Sequence, residues 1–412
     1  MFNNLQYLRK NLLLYFLSFG HGLKHVLSSS VSVILPFIKE SLSLSGVQIG
    51  YLASANSISA GLINFPAGIL SDIYKKRVGL IIGFSALILS IGFYLVSIIS
   101  YDNWIFLGFV SFIFLGAGAN LWHPPAFSVL SYKYPEKKAF ALGVHLSAAS
   151  AGNTLGPLIT GLVLGGLVFD RFIIKAIEWR DLAFIMSLIS IMLSVIIFIF
   201  SSKIYIKSSE KINVNLYISK TLQSLKKIEV ITLVILHAIR QSVHTAFTVY
   251  LLIYLKEYLD FSPVKIGFYF SLIGISGIIF TPIWGSVSDK VGRFPIITLG
   301  MFLTSLFIFL IKFGTNDFAL LVLLLLLGCV LFAIIPVIAA AAMDFTVKGT
   351  EGTSVSLLFT GGAVLGSLSP IVAGYLYDLD GFDNVIILTS LLALIGAFIS
   401  LAGWIFFKKQ SN

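Results

Sequence analysis

Apolar runs of 18 or more residues recur along the whole chain, separated by short polar breaks. An α-helix needs about 20 consecutive apolar residues to cross roughly 30 Å of hydrocarbon. Lipid offers the backbone no hydrogen bonds, so such a segment must pair its own N–H and C=O groups as a helix. The sequence predicts twelve spans: 11–38, 45–71, 78–99, 104–130, 139–169 and 181–200, then 230–255, 263–288, 294–313, 318–342, 353–377 and 385–407. The expected fold is all-α and integral to a membrane, with twelve transmembrane helices in two pseudo-symmetric six-helix bundles. Residues 1–200 are expected to form the first bundle, 201–229 a basic cytoplasmic linker and 230–412 the second bundle. Hydrophobic residues make up 58% of the chain and charged ones 11%, which leaves little polar surface for a soluble or nucleic-acid-binding domain.

Lys and Arg orient the spans. With the N-terminus inside, 19 of them fall in inner segments and seven in outer ones: Lys39, Arg171, Lys175, Arg180, Lys256, Lys265 and Lys312. This excess predicts cytoplasmic termini; the membrane expected to hold them is the inner membrane of a bacterium. The net charge of +10 is then a topology signal. The first apolar run outlasts a signal-peptide core and no small-x-small site follows it, so it reads as a span. The single cysteine, Cys329, lies inside a span and offers neither a disulfide nor a thiolate metal site.

All six histidines stand in apolar stretches, and four of them belong to two matched stripes. His21, Lys24, His25, Ser28 and Ser32 make the first; His237, Arg240, Gln241, His244 and Thr248 make the second, each 216 positions after its counterpart (237 − 21). At about 100° per residue, the shared spacing keeps each stripe within roughly 60° of one helix face. Such faces are costly in lipid, so both are expected to look into a common polar cavity. Near mid-depth stand Lys24, Arg240 and the histidines, but no Asp or Glu. An electropositive cavity calls for a small anionic or acid-bearing substrate, such as a carboxylate, phosphate or phosphonate. Arg240 would grip it as a planar fork and Lys24 as a point charge, with Gln241, Asn120, Ser28 and Thr248 beside them. His21, His25, His123, His237 and His244 are expected to carry a coupling proton, with His145 one layer behind. Proton and anion would strengthen each other's binding, which favours carrying both together.

The two halves repeat further. Gly50 and Gly267 match at an offset of 217, as do Asp72 and Asp289, while Pro124 and Pro336 match at 212. The segment Gly68-Ile-Leu-Ser-Asp72-Ile-Tyr-Lys-Lys-Arg77 resembles the loop motif between helices 2 and 3 of the major facilitator superfamily. Gly285-Ser-Val-Ser-Asp289-Lys-Val-Gly-Arg293 is its second-half copy. The first copy departs from the family by carrying Ile73 and Lys75 where Arg and Gly are usual. Gly143, Gly152, Gly156, Pro157 and Gly161 resemble the helix 5 pattern of family antiporters, with Thr160 replacing one glycine. The stretch from Gly116 to Pro125, with His21, Pro36 and the Leu44–Gly50 stretch, is similar to the fosmidomycin-resistance-like branch, although Lys24 and His25 replace an Asn-Asp pair often found there. The resemblance implies a rocker-switch transporter, usually monomeric, whose helices 1, 4, 7 and 10 line a central cavity. It also implies that Asp72, Arg77, Asp289 and Arg293 serve the gate. It further raises drug–proton antiport with export as the alternative to anion–proton symport.

Other classes fare worse. No nucleophile or acid–base carboxylate stands at depth, so no enzyme is expected, and neither is a cofactor. A metal site from His21, His25 and His123 has suitable i, i+4 spacing, but Lys24 lies between the first two and no carboxylate is near, so no metal is expected either. A sensor would bind ligand without flux. A fixed channel would have no use for two gating loops.

Overall fold

The computed structural model describes residues 2–169, 172–207, 219, 223, 227–314, 316–345 and 351–411. The first half holds α1 (Phe2–Ser41), α2 (Gly46–Ile73), α3 (Val78–Ser97), α4 (Phe109–Leu121), α5 (His123–Lys133), α6 (Lys138–Gly165) and α7 (Trp179–Phe200). The second holds α8 (Ile228–Glu257), α9 (Pro263–Val291), α10 (Arg293–Ile311), α11 (Asp317–Leu331), α12 (Ile334–Asp344), α13 (Glu351–Gly366) and α14 (Ser369–Ser411). These helices make twelve spans in two six-helix bundles. The fourth span of each half is built from two helices, α4–α5 and α11–α12. Among the described residues, eight stretches are long and apolar enough to cross a bilayer. Helices α1, α2 and α6 fall outside that group, and each carries several Ser, Asn or His residues within its span.

Several predicted boundaries need correction. Residues 166–169 leave the fifth helix at Gly166, whose φ of 71° ends α6. An antiparallel hairpin follows, β1 (Leu167–Phe169) pairing with β2 (Phe172–Ile174). The last two spans share α14, which bends at Asp380 and Gly381, and the eleventh breaks after Gly366. Most of the predicted linker lies outside the described residues. Its first turn is fixed: Ile204 O accepts from Gly79 N at 3.0 Å and Ile206 N donates to Lys75 O at 2.9 Å, tying the segment to the entry of α3.

Proline breaks the fourth spans. Pro124 and Pro125 at the start of α5, and Pro336 near the start of α12, lack the N–H that a continuous helix would donate. Trp122 and the Phe332–Ala333 pair are the joints. A break at depth frees carbonyls that lipid cannot satisfy, so each must find a donor from elsewhere in the protein.

The two halves meet closely at one end. A Cβ on Gly267 of α9 would lie 2.3 Å from Pro157 O, and one on Gly50 of α2 would lie 2.4 Å from Pro370 O, so both helix crossings require glycine. These crossings are related by the internal repeat, since Ser369, Pro370 and Gly374 match Gly156, Pro157 and Gly161 at an offset of 213 (370 − 157). Asp378 caps α2 from the other half, accepting from Gly46 N at 2.6 Å and Val47 N at 2.9 Å. Lys39 pairs with Glu257 at 2.6 Å, and Lys256 with Glu40 at 3.4 Å. At the other end Gly68, Gly143 and Gly285 face open space. Replacing Gly267 by Val is expected to cost about 1–3 kcal/mol of stability by overpacking. Gly285→Val should cost far less, and thermal unfolding of the two purified variants compares them.

Candidate functional site

The two buried cations do not line the cavity. Lys24 is 0% exposed and donates to Ala119 O at 2.8 Å, three residues before the break at Trp122. Arg240 is 3% exposed and donates from Nε and Nη2 to Leu331 O at 3.0 and 2.7 Å, immediately before the second break. Ala119 and Leu331 match at the offset of 212 that relates Pro124 to Pro336 (331 − 119). Each cation thus donates to the carbonyl one residue before the one that its own half's proline leaves without its helical donor, Asn120 or Phe332. This corrects the expectation that Arg240 and Lys24 touch substrate directly. Neither has an acidic partner among the described residues.

The cavity itself lies between the halves, with a volume of about 360 Å³. From the first half it takes Ser28 and Ser32 of α1, Asn56, Ser57 and Asn64 of α2, and Asn120 of α4. From the second it takes His237, Gln241, His244, Thr245 and Thr248 of α8. Four of the expected substrate residues, Asn120, Ser28, Gln241 and Thr248, therefore share one wall system. Asn56, Ser57 and Asn64 were not foreseen; as single amides and hydroxyls in a helix of ordinary polarity they carry no sign that marks a site. Gln241 Oε1 accepts from Arg240 Nη1 at 3.2 Å, which fixes the amide and leaves its NH₂ as a donor. Nδ1 of His237 and of His244 is buried without a hydrogen-bond partner. Such orphaned nitrogens beside a cavity are costly unless a ligand or water meets them.

His21, His25 and His123 turn away from this wall onto one another. His21 Nε2 lies 3.2 Å from both His25 Nε2 and His123 Nδ1, and its Nδ1 donates to His145 O at 2.9 Å. The His145 ring stacks on His21 at 3.9 Å.

The gating residues divide. Arg293 pairs with Asp289, with Asp344 at 3.0 Å and with Ser288 Oγ at 2.7 Å, joining the ends of α9, α10 and α12. No ion pair joins Asp72 to Arg77 among the described residues, consistent with Ile73 and Lys75 breaking the first copy of the motif. In the helix 5 pattern, a Cβ on Gly152 would meet Gly22 O at 2.2 Å and one on Gly156 would meet Ser29 Oγ at 2.1 Å, so these two seat α6 on α1. Gly161 serves the contact between halves, and Gly143 faces open space.

The Major Facilitator Superfamily family model matches residues 17–236 and 233–412. The chain belongs to the Major Facilitator Superfamily. Members of this superfamily are transporters rather than enzymes. An uncharacterized superfamily transporter of Methanocaldococcus jannaschii is 23% identical over 380 residues, covering 90% of this chain and 92% of that one. A multi-drug resistance efflux pump of Streptococcus pneumoniae is 30% identical over 151 residues, covering 35% and 36%. The hexuronate transporter of Bacillus subtilis is 27% identical over 157 residues, covering 37% and 33%. Among solved structures, a bacterial homolog of the human lysosomal transporter Spinster superposes with a TM-score of 0.79 at 16% identity, covering 97% of this chain and 98% of that one. The nucleoside transporter NupG superposes at 0.76 with 14% identity, covering 95% and 99%.

Within this superfamily fold, Arg240→Leu is expected to destabilise the protein by about 1–3 kcal/mol, because Leu331 O is left buried and unpaired. Arg240→Lys keeps one donor and should recover part of that loss. Unfolding in detergent measures both.

Proposed function

We propose that this chain is a proton-coupled secondary transporter of a small anionic or acid-bearing compound, working by alternating access. The observation that carries the reading is the charge balance: among the described residues no Asp or Glu lines the cavity, while Lys24 and Arg240 are buried behind its two walls, bonded only to neutral groups. A buried charge without a counter-ion keeps much of its field in a low-dielectric wall, so an anion in the cavity gains where a cation loses. Gln241 extends the Arg240 charge toward the cavity through its fixed amide. A volume of about 360 Å³ suits a small organic molecule. His237 and His244 take the coupling proton in this reading, since both line the cavity and both have a ring nitrogen without a partner. Within the superfamily, the Gly116–Pro125 block supports placement near the fosmidomycin-resistance-like branch.

The halves, 1–200 and 230–412, would rock about the bound substrate in a monomer of a bacterial inner membrane. With both termini cytoplasmic, the closed end faces outward and the cavity opens inward. Outward opening then requires the Lys39–Glu257 and Lys256–Glu40 pairs to part. Both pairs join residues matched at an offset of 217 (256 − 39), so the contact is reciprocal. Drug–proton antiport is the second reading, supported by the α6 glycine pattern and the partial similarity to a multidrug pump; it lacks the cavity carboxylate for which a proton and a cationic drug would compete.

Two measurements test these statements. An imposed pH gradient should drive acid-bearing compounds across proteoliposomes, and His244→Gln should reduce that flux at least about tenfold, the equivalent of 1.4 kcal/mol. Flux of cationic compounds alone would select the second reading. Glu257→Lys should slow transport by placing two cations together at the closed end, and adding Lys39→Glu should restore it. Each exposed pair is worth about 0.2–1 kcal/mol, so the expected change is severalfold.

A further inference from the structure

Among the described residues, each amide that lines the cavity is held by a partner able to play only one role. Asn56 Nδ2 donates to Phe112 O at 3.2 Å, Asn64 Nδ2 to Ala60 O at 3.0 Å and Asn120 Nδ2 to Gly116 O at 3.2 Å. A carbonyl only accepts, so each of these amides must turn its NH₂ to the backbone and leave Oδ1, an acceptor, to the cavity. Gln241 is the reverse. Its Oε1 accepts from Arg240 Nη1 at 3.2 Å; a guanidinium only donates, so the NH₂ is what remains. The hydroxyls of Thr245 and Thr248 spend their protons on Gln241 O at 2.9 Å and His244 O at 2.7 Å, leaving oxygen lone pairs there too.

The amides therefore divide by half: acceptors on α2 and α4, and a donor on α8 beside the Arg240 charge. Amide oxygens repel a carboxylate, so its place is at the Gln241 NH₂. The first-half wall calls for the opposite kind of group, an O–H that donates to Asn56, Asn64 or Asn120. An alkyl chain at that wall would leave three acceptors without partners, and a site built to bond a substrate hydroxyl discriminates against the analogue that lacks it. An ammonium group would donate as well, but the charges of Lys24 and Arg240 behind the walls oppose it. Hydroxyls donate without adding charge. Ligand pockets run from roughly 300 to 1,000 Å³. At about 360 Å³ this cavity stands at the small end, which favours a compact molecule.

Resting on the anionic reading of the same cavity, we propose that its substrate is a compact polyhydroxy carboxylate, of the sugar-acid class. The carboxylate sits at Gln241, and the hydroxyls donate to Asn56, Asn64 and Asn120. Asn64 and Asn120 are then specificity-determining residues. One molecule touches both halves at once, its acid on α8 and its hydroxyls on α2 and α4.

Calorimetric titration of the purified full chain in detergent compares the aldonates gluconate and galactonate with hexanoate, 6-aminohexanoate and the neutral polyol glucitol. The better-bound aldonate should bind at least about tenfold more tightly than any of the other three. In Asn64→Leu and in Asn120→Leu that aldonate should weaken at least about tenfold while hexanoate keeps its affinity, a change of ratio that a merely structural loss would not produce. Each of these two amides bonds only within its own helix, so the fold should survive both substitutions. Gln241→Leu should weaken aldonate and hexanoate alike. Hexanoate or 6-aminohexanoate binding as tightly as the aldonates would overturn the polyhydroxy assignment and leave the acid-bearing reading in place. Glucitol binding as tightly as the aldonates, or no binding by any acid, would overturn both. An unchanged aldonate preference in the Asn64→Leu/Asn120→Leu double variant would overturn the assignment of the hydroxyls to these amides.

Discussion

Each half of the protein contains a proline-broken fourth span, and each break is held by one buried cation from the first helix of the same half. Lys24 donates to Ala119 O and Arg240 donates to Leu331 O. A carbonyl released at membrane depth has no water to turn to, and a cation at that depth has no bulk solvent to screen it. The two costs offset each other in a single contact, made twice by the internal repeat. The contact also fixes where the cavity walls stand, because α1 is tied to α4 and α8 to α11 beside the site. In the proposed reading the same cations impose their sign on the space between the halves.

That space is set by close helix crossings on one side and separation on the other. Gly50 against Pro370 and Gly267 against Pro157 are the two copies of one crossing, and the reciprocal Lys–Glu pairs stand at the same end. Crossings without side chains between them allow two rigid bundles to pivot with little repacking. The Arg293–Asp289–Asp344 cluster lies within the second half and joins three helix ends there, so it stiffens a bundle rather than bridging the two. Its first-half counterpart has lost the geometry with Ile73 and Lys75.

Much of this was legible in the sequence for a physical reason: lipid forces long helices, and costly polar residues within them must face each other. The twelve spans follow from that, as does the placement of Gln241, His244 and Ser28 on cavity-facing stripes, while the match of Gly50 with Gly267 is read from the internal repeat. What was not legible was depth. Helical spacing puts Lys24 and Ser28 on one face, yet it does not say which of them meets a neighbouring carbonyl before it meets solvent. Arg240 is hidden by the break at Phe332, which shows in the sequence only as Pro336, while the carbonyl it meets is that of Leu331. Asn56 and Asn64 are invisible for the opposite reason, since single amides in a helix look the same inside and outside a site. The repeat of Pro157 and Gly161 at Pro370 and Gly374 was present in the sequence and locates the second crossing.

The central claim is that the buried, unpaired cations make the cavity selective for anions. Ligand-induced thermal shift of the purified protein against matched acid-bearing and amine-bearing compounds, at two pH values, tests it most directly. Binding of the anion and of a proton to His237 or His244 should reinforce each other, so acid-bearing compounds should stabilise the protein, and more strongly at the lower pH. Stabilisation by amine-bearing compounds alone would contradict the account.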